Sequence, residues 1–198
     1  MPEATQIIAL ILCGGQSERM GRPKANLIYH QVPQYQYLLN LCGLLGLQTF
    51  ISCNKNQLKL LDDISNVIID KEQFKESGPI SGLLSAIELF PQSAILLLGC
   101  DYPLVQAKDL AVLIQDFKDN QKTVGYYHSI TKMFEPTIAI YHPKEFEIIR
   151  NRFNNKQTSL RHFLEETMAT KLIPTDINIL KSFDTMEDYL GFNAPPIV

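Results

Sequence analysis

The sequence predicts an α/β fold of three layers, with a mostly parallel central sheet and helices on both faces. Three observations carry that prediction. Four short, nearly continuous apolar runs occupy the first half of the chain. Longer stretches with apolar residues three and four apart separate them. Several of the runs stop abruptly at Gly, Asn or Asp, as strands do when they leave a buried sheet for a solvated edge. Strand–helix–strand repeats of this length need crossover connections, which place successive strands parallel.

The elements follow in order. "IIALILC" (7–13), "TFISCN" (49–54), "NVIID" (66–70) and "AILLLGCD" (94–101) read as strands buried on both faces. "QYQYLLNLCGLLGL" between the first two reads as a helix. "ISGLLSAIELF" and "KDLAVLIQDFKDN", after the third and fourth strands, do the same. Beyond residue 122 the pattern loosens. "KTVGYYHS" and "PTIAIYHP" read as strands, "HPKEFEIIRNRF" and "SLRHFLEET" as helices, and "ATKLIPTD" as a late strand. No Pro/Gly/Ser linker, internal repeat or low-complexity stretch interrupts the chain, so residues 1–198 read as one domain. Its nucleotide-binding half would run over about 1–105 and its acceptor-side half over about 106–198.

Composition excludes several classes. At 45% hydrophobic and 20% charged, the chain can bury a core and is not a disordered segment. A net charge of -3 argues against a general nucleic-acid or membrane-surface binder. No apolar run approaches the roughly 20 residues that span a bilayer, and "MPEATQ" lacks the basic region of a secretory signal. Cys13, Cys42, Cys53 and Cys100 form no C-x-x-C pair and lie in or beside apolar runs, as reduced, buried thiols do. His30, His128, His142 and His162 form no ligand pair at helical spacing, which argues against zinc. A cytoplasmic, monomeric enzyme is the expectation.

In open α/β sheets the ligand crevice lies beyond the carboxyl ends of the strands. Gly14 and Gly15 fall at such an end, where the lack of Cβ lets backbone N–H groups approach phosphate oxygens. Arg19 and Lys24 follow closely and suit a polyphosphate, Arg as a fork and Lys as a point charge. The spacing fits neither a P-loop nor a dinucleotide fingerprint. A tight strand–helix turn with solvated charges would look similar. Asp101 ends the fourth run on the same edge, and a carboxylate beside a polyphosphate suits Mg2+; it could instead cap the turn that Pro103 enforces. In "ESGPISG", Gly78 and Gly82 flank a helix start that a base or ribose could approach closely, or that simply packs tightly. Asn54 and Asp70 end the second and third strands and have the donors and acceptors to bond a base, though either residue is also common in turns.

"LCGGQSERMGRPK", "IIDKEQFKESGPISG", "LLLGCDYP", "FEPTIAIY" and "SLRHFLEE" occur in an order that resembles the molybdenum cofactor guanylyltransferases, within the Rossmann-like nucleotidyltransferases. The resemblance runs from residue 7 to about 188. It implies transfer of GMP from GTP to molybdopterin, or its molybdenum-loaded form, with release of pyrophosphate. On that resemblance Gly14, Gly15, Arg19 and Lys24 hold the triphosphate. Asn54, Asp70 and backbone groups around Leu12 and Cys13 read guanine, and Asp101 holds Mg2+. Glu135, Pro136, Ser159 and Arg161 line the pterin side. It also implies transient contact with molybdoenzymes or their chaperones.

Two departures stand out. Cys13 replaces the family's usual Ala, and "SFDTMED" replaces N-x-N-T-P-E-D, so that Ser182 and Asp184 stand for two asparagines and Met186 for the proline. Asp184 is thereby a candidate second metal ligand. The rivals are a transferase using CTP on the same pterin, a sugar-phosphate nucleotidyltransferase, and a non-catalytic nucleotide-binding relative.

Overall fold

The structure, a computed structural model, describes residues 5–14, 23–55, 57–60, 66–75 and 77–193. Seven strands form one sheet: β1 (Ile7–Leu12), β2 (Gln48–Cys53), β3 (Val67–Ile69), β4 (Ala94–Gly99), β5 (Val124–His128), β6 (Met133–Tyr141) and β7 (Thr170–Leu172). Their order across the sheet is β3-β2-β1-β4-β6-β5-β7. β1 pairs in parallel with β2 and β4, β2 with β3, and β5 with β7. Only β6 runs against its neighbours β4 and β5. The mostly parallel sheet is as expected.

The unbroken apolar runs follow from coverage on both faces. In β1, Ile7, Ala9 and Ile11 belong to one core, together with Cys13 just beyond the strand, while Ile8 and Leu10 belong to the other. β4 divides likewise, with Leu96 and Leu98 on one side and Ile95 and Leu97 on the other. A strand sandwiched in this way needs apolar residues at every position, and burying each Ile or Leu contributes about 1.5–3 kcal/mol. Helices α1 (Gln34–Leu44) and α3 (Ala107–Asn120) cover the first face. Helices α2 (Pro79–Leu89), α4 (Phe146–Asn154) and α5 (Leu160–Glu166) cover the second.

β3 departs from the expectation of a strand buried on both faces. It is a three-residue edge strand paired only with β2, and Ile69 is 38% exposed. The apolar run "VII" therefore overstated its burial.

The antiparallel β6 arises because β5 and β6 form a hairpin that folds back between β4 and β5. The turn closes through Lys132 N–H donating to His128 O, with Lys132 at φ 59°. The ladder breaks where Gly125 faces Ala139 but Tyr126 faces Glu135. Pro136 lies in the bulge so formed, where its missing N–H leaves no ladder bond unmade.

A further helix, α6 (Met186–Asn193), has no counterpart among the sequence expectations. It docks through a small third core in which Tyr29 meets Phe183, Tyr189 and Phe192 edge-on, with ring centroids 5.1–5.8 Å apart. That core brings the chain around Ser182 and Asp184 back to the carboxyl end of β4. Among the described residues, no helix is long and apolar enough to cross a membrane.

Candidate functional site

Register alone gathers the predicted residues. Leu12 pairs with Ser52 on one side and Gly99 on the other, and Cys53 pairs with Ile69. The positions just beyond these pairs, 13–14, 54, 70 and 100–101, therefore share one edge of the sheet. Gly15 and Arg19 lie outside the described residues.

On the β1–β2–β3 side, the carboxylate of Asp70 leans over Gly14. Among the described residues, a Cβ built on Gly14 would make ordinary contacts with two polar atoms, Asp70 Oδ2 at 3.7 Å and Gln57 Oε1 at 3.9 Å. Asp70 Oδ1 accepts a 2.6 Å hydrogen bond from the buried hydroxyl of Ser52. Burial pushes the carboxyl of Asp70 above its ordinary value, and the Ser52 bond offsets part of that rise. The side chain of Asn54 closes a local turn, with Oδ1 accepting from Gln57 N–H (3.0 Å) while Gln57 Oε1 accepts from Asn54 N–H (3.2 Å). The turn reading of Asn54 is thus realised, and its neighbour Gln57, absent from the sequence expectations, reaches the same cleft.

Both later glycines answer to the protein itself. Gly78 sits at φ 77° just before α2, a conformation that favours glycine, with Pro79 opening the helix. A Cβ on Gly82 would collide with Ser52 Oγ and Leu12 Cδ2, so its glycine lets α2 press against β1 and β2. Of the two expectations for Gly82, tight packing accounts for it without a ligand. Leu12 is half-buried within that contact. Cys13 N–H donates to Ser52 O (2.9 Å), and Cys13 Sγ lies 3.4 Å from Cys100 Sγ inside the core.

On the β4 side, Asp101 is partly exposed beside Lys24, whose Nζ is 4.0 Å from Asp101 Oδ2. The same ammonium donates to Asp184 Oδ1. Lys24 sits in a one-turn 3-10 helix (Lys24–Asn26) anchored by the buried Ala25. Asp184 is held from several directions. Ser182 Oγ donates to its Oδ2 at 2.8 Å, and its N–H donates to Asp188 Oδ2 at 3.2 Å. Asp188 also takes the Thr185 N–H and hydroxyl, while its own N–H donates to Thr185 Oγ1. That reciprocal capping box opens α6. Phe183 N–H donates to Asp101 O at 2.8 Å and ties the two acidic residues together through the backbone.

Gly99 belongs to the site although nothing in the sequence marked it as a candidate. A Cβ there would collide with Asp101 Oδ1 and stand 3.2 Å from Thr137 Oγ1 and Tyr102 Cε2. The signal was a glycine two residues before the terminal Asp of a strand otherwise made of large apolar residues.

The β6 bulge turns Glu135 toward this group, where Tyr102 hydrogen-bonds its carboxylate. Arg161 lies near Glu135 and donates from Nε to Phe134 O at 3.0 Å. Pro136 contributes its carbonyl to Tyr141 Oη at 2.8 Å. Ser159 is engaged locally: its hydroxyl accepts the His162 N–H and caps α5. Ser is a preferred helix cap, and this role explains it independently of any acceptor.

Charge is unevenly matched here. Burial pushes the carboxyl of Asp101 up, against the pull of Lys24 and with a further push from Asp184. Burial also raises Glu135, opposed by Tyr102 and Arg161. Asp184 goes the other way: burial works to raise it, but the bonds from Lys24 and Ser182 leave it below the ordinary carboxylate range. Among the described residues, the Lys24 ammonium thus serves two carboxylates, with Glu135 nearby. Among the described residues no group of three or more His, Cys, Asp or Glu side chains is placed to hold a metal ion. Asp101 and Asp184 nevertheless fit Mg2+, which commonly takes one or two carboxylates and draws its other ligands from phosphate and water.

Comparison with known proteins bears on the family and the fold. Residues 9–171 match the family described as the MobA-like NTP transferase domain. The chain is 24% identical to a molybdenum cofactor guanylyltransferase of Campylobacter jejuni subsp. doylei, covering 96% of this chain and 93% of that one. It is 23% identical to a molybdenum cofactor biosynthesis bifunctional protein of Synechocystis sp., covering 96% of this chain but 54% of that protein, so it spans about half of that relative's length. Among solved structures, a molybdopterin-guanine dinucleotide biosynthesis protein A from Archaeoglobus fulgidus superposes with a TM-score of 0.72 at 17% identity, over 93% of this chain and 95% of that one.

Proposed function

Because the chain belongs to the MobA-like NTP transferase domain family, we propose that it transfers GMP from GTP to molybdopterin, or its molybdenum-loaded form, releasing pyrophosphate. The observation that carries this reading is the convergence of Lys24 on Asp101 and Asp184 at the same sheet edge as Gly14. A cation beside a pair of carboxylates suits a metal-bound polyphosphate, and a glycine at that edge suits a close approach of phosphate to the backbone.

The nucleophile in this reading is a terminal phosphate oxygen of the pterin. It forms a bond to the α-phosphorus of GTP as the bond to the bridging oxygen of the β-phosphate breaks, and pyrophosphate leaves with that electron pair. A phosphate monoester has its second pKa near about 6 and is largely ionised at neutral pH, so no protein base is needed. The protein's task is to align two anions and offset charge on the leaving group. Lys24 supplies a positive charge that can pass from Asp184 to the phosphates. Asp101, with Asp184 beside it, would hold Mg2+, which when bound neutralises phosphate charge. Gly15 and Arg19 complete the triphosphate contacts in this proposal. Asp70 and Asn54 face the base. Glu135, Pro136 and Arg161 line the acceptor side, and GTP and molybdopterin are the partners.

The test is pyrophosphate release with molybdopterin and Mg2+, offering GTP, CTP and ATP separately. Release with GTP alone supports the reading, preference for CTP overturns its base assignment, and release with none overturns the reaction. Lys24→Ala is expected to lower kcat/KM for GTP at least about 10-fold, since removing a hydrogen bond to a charged group costs about 1.5–3 kcal/mol. An unchanged value would place Lys24 outside the reaction. Gly99→Ala is expected to lower it by a similar factor, about 10-fold, by displacing the Asp101 carboxylate. The same assay, with a thermal melt to confirm folding, checks it; a folded variant with wild-type turnover would show that the carboxylate's position does not matter.

A further inference from the structure

Ser52 is the last but one residue of β2, buried to 1% exposure, and its hydroxyl is committed to Asp70 Oδ1 at 2.6 Å. Helix α2 leaves it no latitude, because Gly82 packs directly over Ser52 Oγ and Cβ. Asp70 itself directly follows the edge strand β3, which pairs with β2. The hydroxyl therefore clamps Oδ1, which keeps a further lone pair, and leaves Oδ2 beside Gly14, 3.7 Å from where that residue's Cβ would stand. The clamp also favours the ionised carboxylate, which burial alone disfavours.

We propose that Ser52 is a specificity-positioning residue, holding Asp70 as a fixed pair of acceptors for a nucleobase edge that carries two adjacent N–H donors. This deepens the function proposed above and rests on it. An ionised carboxylate accepts and cannot donate. Guanine offers a ring N–H beside an exocyclic amine. Hypoxanthine keeps the ring N–H but lacks the amine, adenine sets an amine beside a ring acceptor, and cytosine sets one beside two acceptors. Only guanine among these satisfies both oxygens, and it does so only while the carboxylate is held in plane with the base. A swinging carboxylate would keep one bond and lose the second, so the discrimination most sensitive to Ser52 is guanine against hypoxanthine.

The experiment measures equilibrium binding of GTP and ITP, in the absence of pterin, to the wild-type chain, Ser52→Ala and Ser52→Cys. Cysteine fills nearly the same space but is a weak donor, so it separates the hydrogen bond from packing. The wild type is expected to prefer GTP. In both variants the GTP:ITP affinity ratio is expected to fall at least about fivefold, as when a hydrogen bond to a charged group is lost. General loosening of the site would weaken both nucleotides together and leave the ratio unchanged. An unchanged ratio in a folded Ser52→Cys, or a wild type that does not distinguish GTP from ITP, overturns the proposal. Failure of the reaction itself would be seen separately, as normal GTP preference in binding without pyrophosphate release when molybdopterin is added.

Discussion

Asp101→Ala is expected to lower pyrophosphate release by roughly a thousandfold or more while leaving the fold intact. A metal that neutralises transferring phosphates contributes several kcal/mol to the barrier, and each 1.36 kcal/mol is a factor of ten. In the proposed function Asp101 holds that metal, from its position just past the end of the central strand β4 and beside Lys24. Stability should survive for two reasons. The side chain is partly exposed, and the bond that ties this turn to the C-terminal segment is a backbone one, from Phe183 N–H to Asp101 O. Removing the Asp101 carboxylate also removes the cost of desolvating it, the main cause of its raised value, together with a smaller repulsion from Asp184 and on Glu135. A thermal melt at or above that of the wild type, together with lost turnover, is the expected pair of results. A folded variant that still turns over near the wild-type rate would remove Asp101 from the chemistry and with it the metal assignment.

The sequence was most legible where one physical rule acted alone. β1 and β4 are covered on both faces, so their side chains are apolar at every position and the runs stop where the site begins. Gly14 and Asp101 stood out as candidates because each follows the abrupt end of such a run. Legibility failed where the cause lay elsewhere in the chain. Nothing in "MEDYLGFN" announces α6, since Tyr189 and Phe192 acquire a partner only when Tyr29 is folded beneath them. The apolar run of β3 resembles the buried strands, yet its position at the sheet edge is a property of topology. Ser52 reads as an unremarkable small residue, and Gly82 as a glycine that either a ligand or close packing could explain, until the approach of α2 to β2 shows that one makes room for the other. Asp184 reads as a departure from its family's asparagine, and the structure gives it a defined place on Lys24, held by Ser182 and the Thr185–Asp188 cap.

Asp70→Asn is expected to exchange the preferred nucleotide from GTP to XTP. The expectation follows from which atom Ser52 can bond. Its hydroxyl donates to Asp70 Oδ1, so in the variant it should draw in the amide oxygen and leave the amide nitrogen facing the cleft beside Gly14. That nitrogen donates, and it opposes the exocyclic amine of guanine. The amide oxygen still accepts the ring N–H of guanine, so one bond to a charged acceptor is lost and the other weakened, at a cost of at least about 1.5–3 kcal/mol, or roughly 10–10² in kcat/KM for GTP. Xanthine carries a carbonyl where guanine carries the amine and keeps the adjacent ring N–H. The same Asn then donates to the carbonyl and accepts the ring N–H, restoring both bonds. Loss of GTP use alone would fit many kinds of damage, whereas a gain with XTP requires that residue 70 meet this edge of the base in a fixed orientation. Pyrophosphate release with each nucleotide, for wild type and variant, gives the four rates needed. A variant that loses GTP without gaining XTP would mean that Asp70 supports the site without reading the base, and one that keeps its GTP preference would place the base elsewhere.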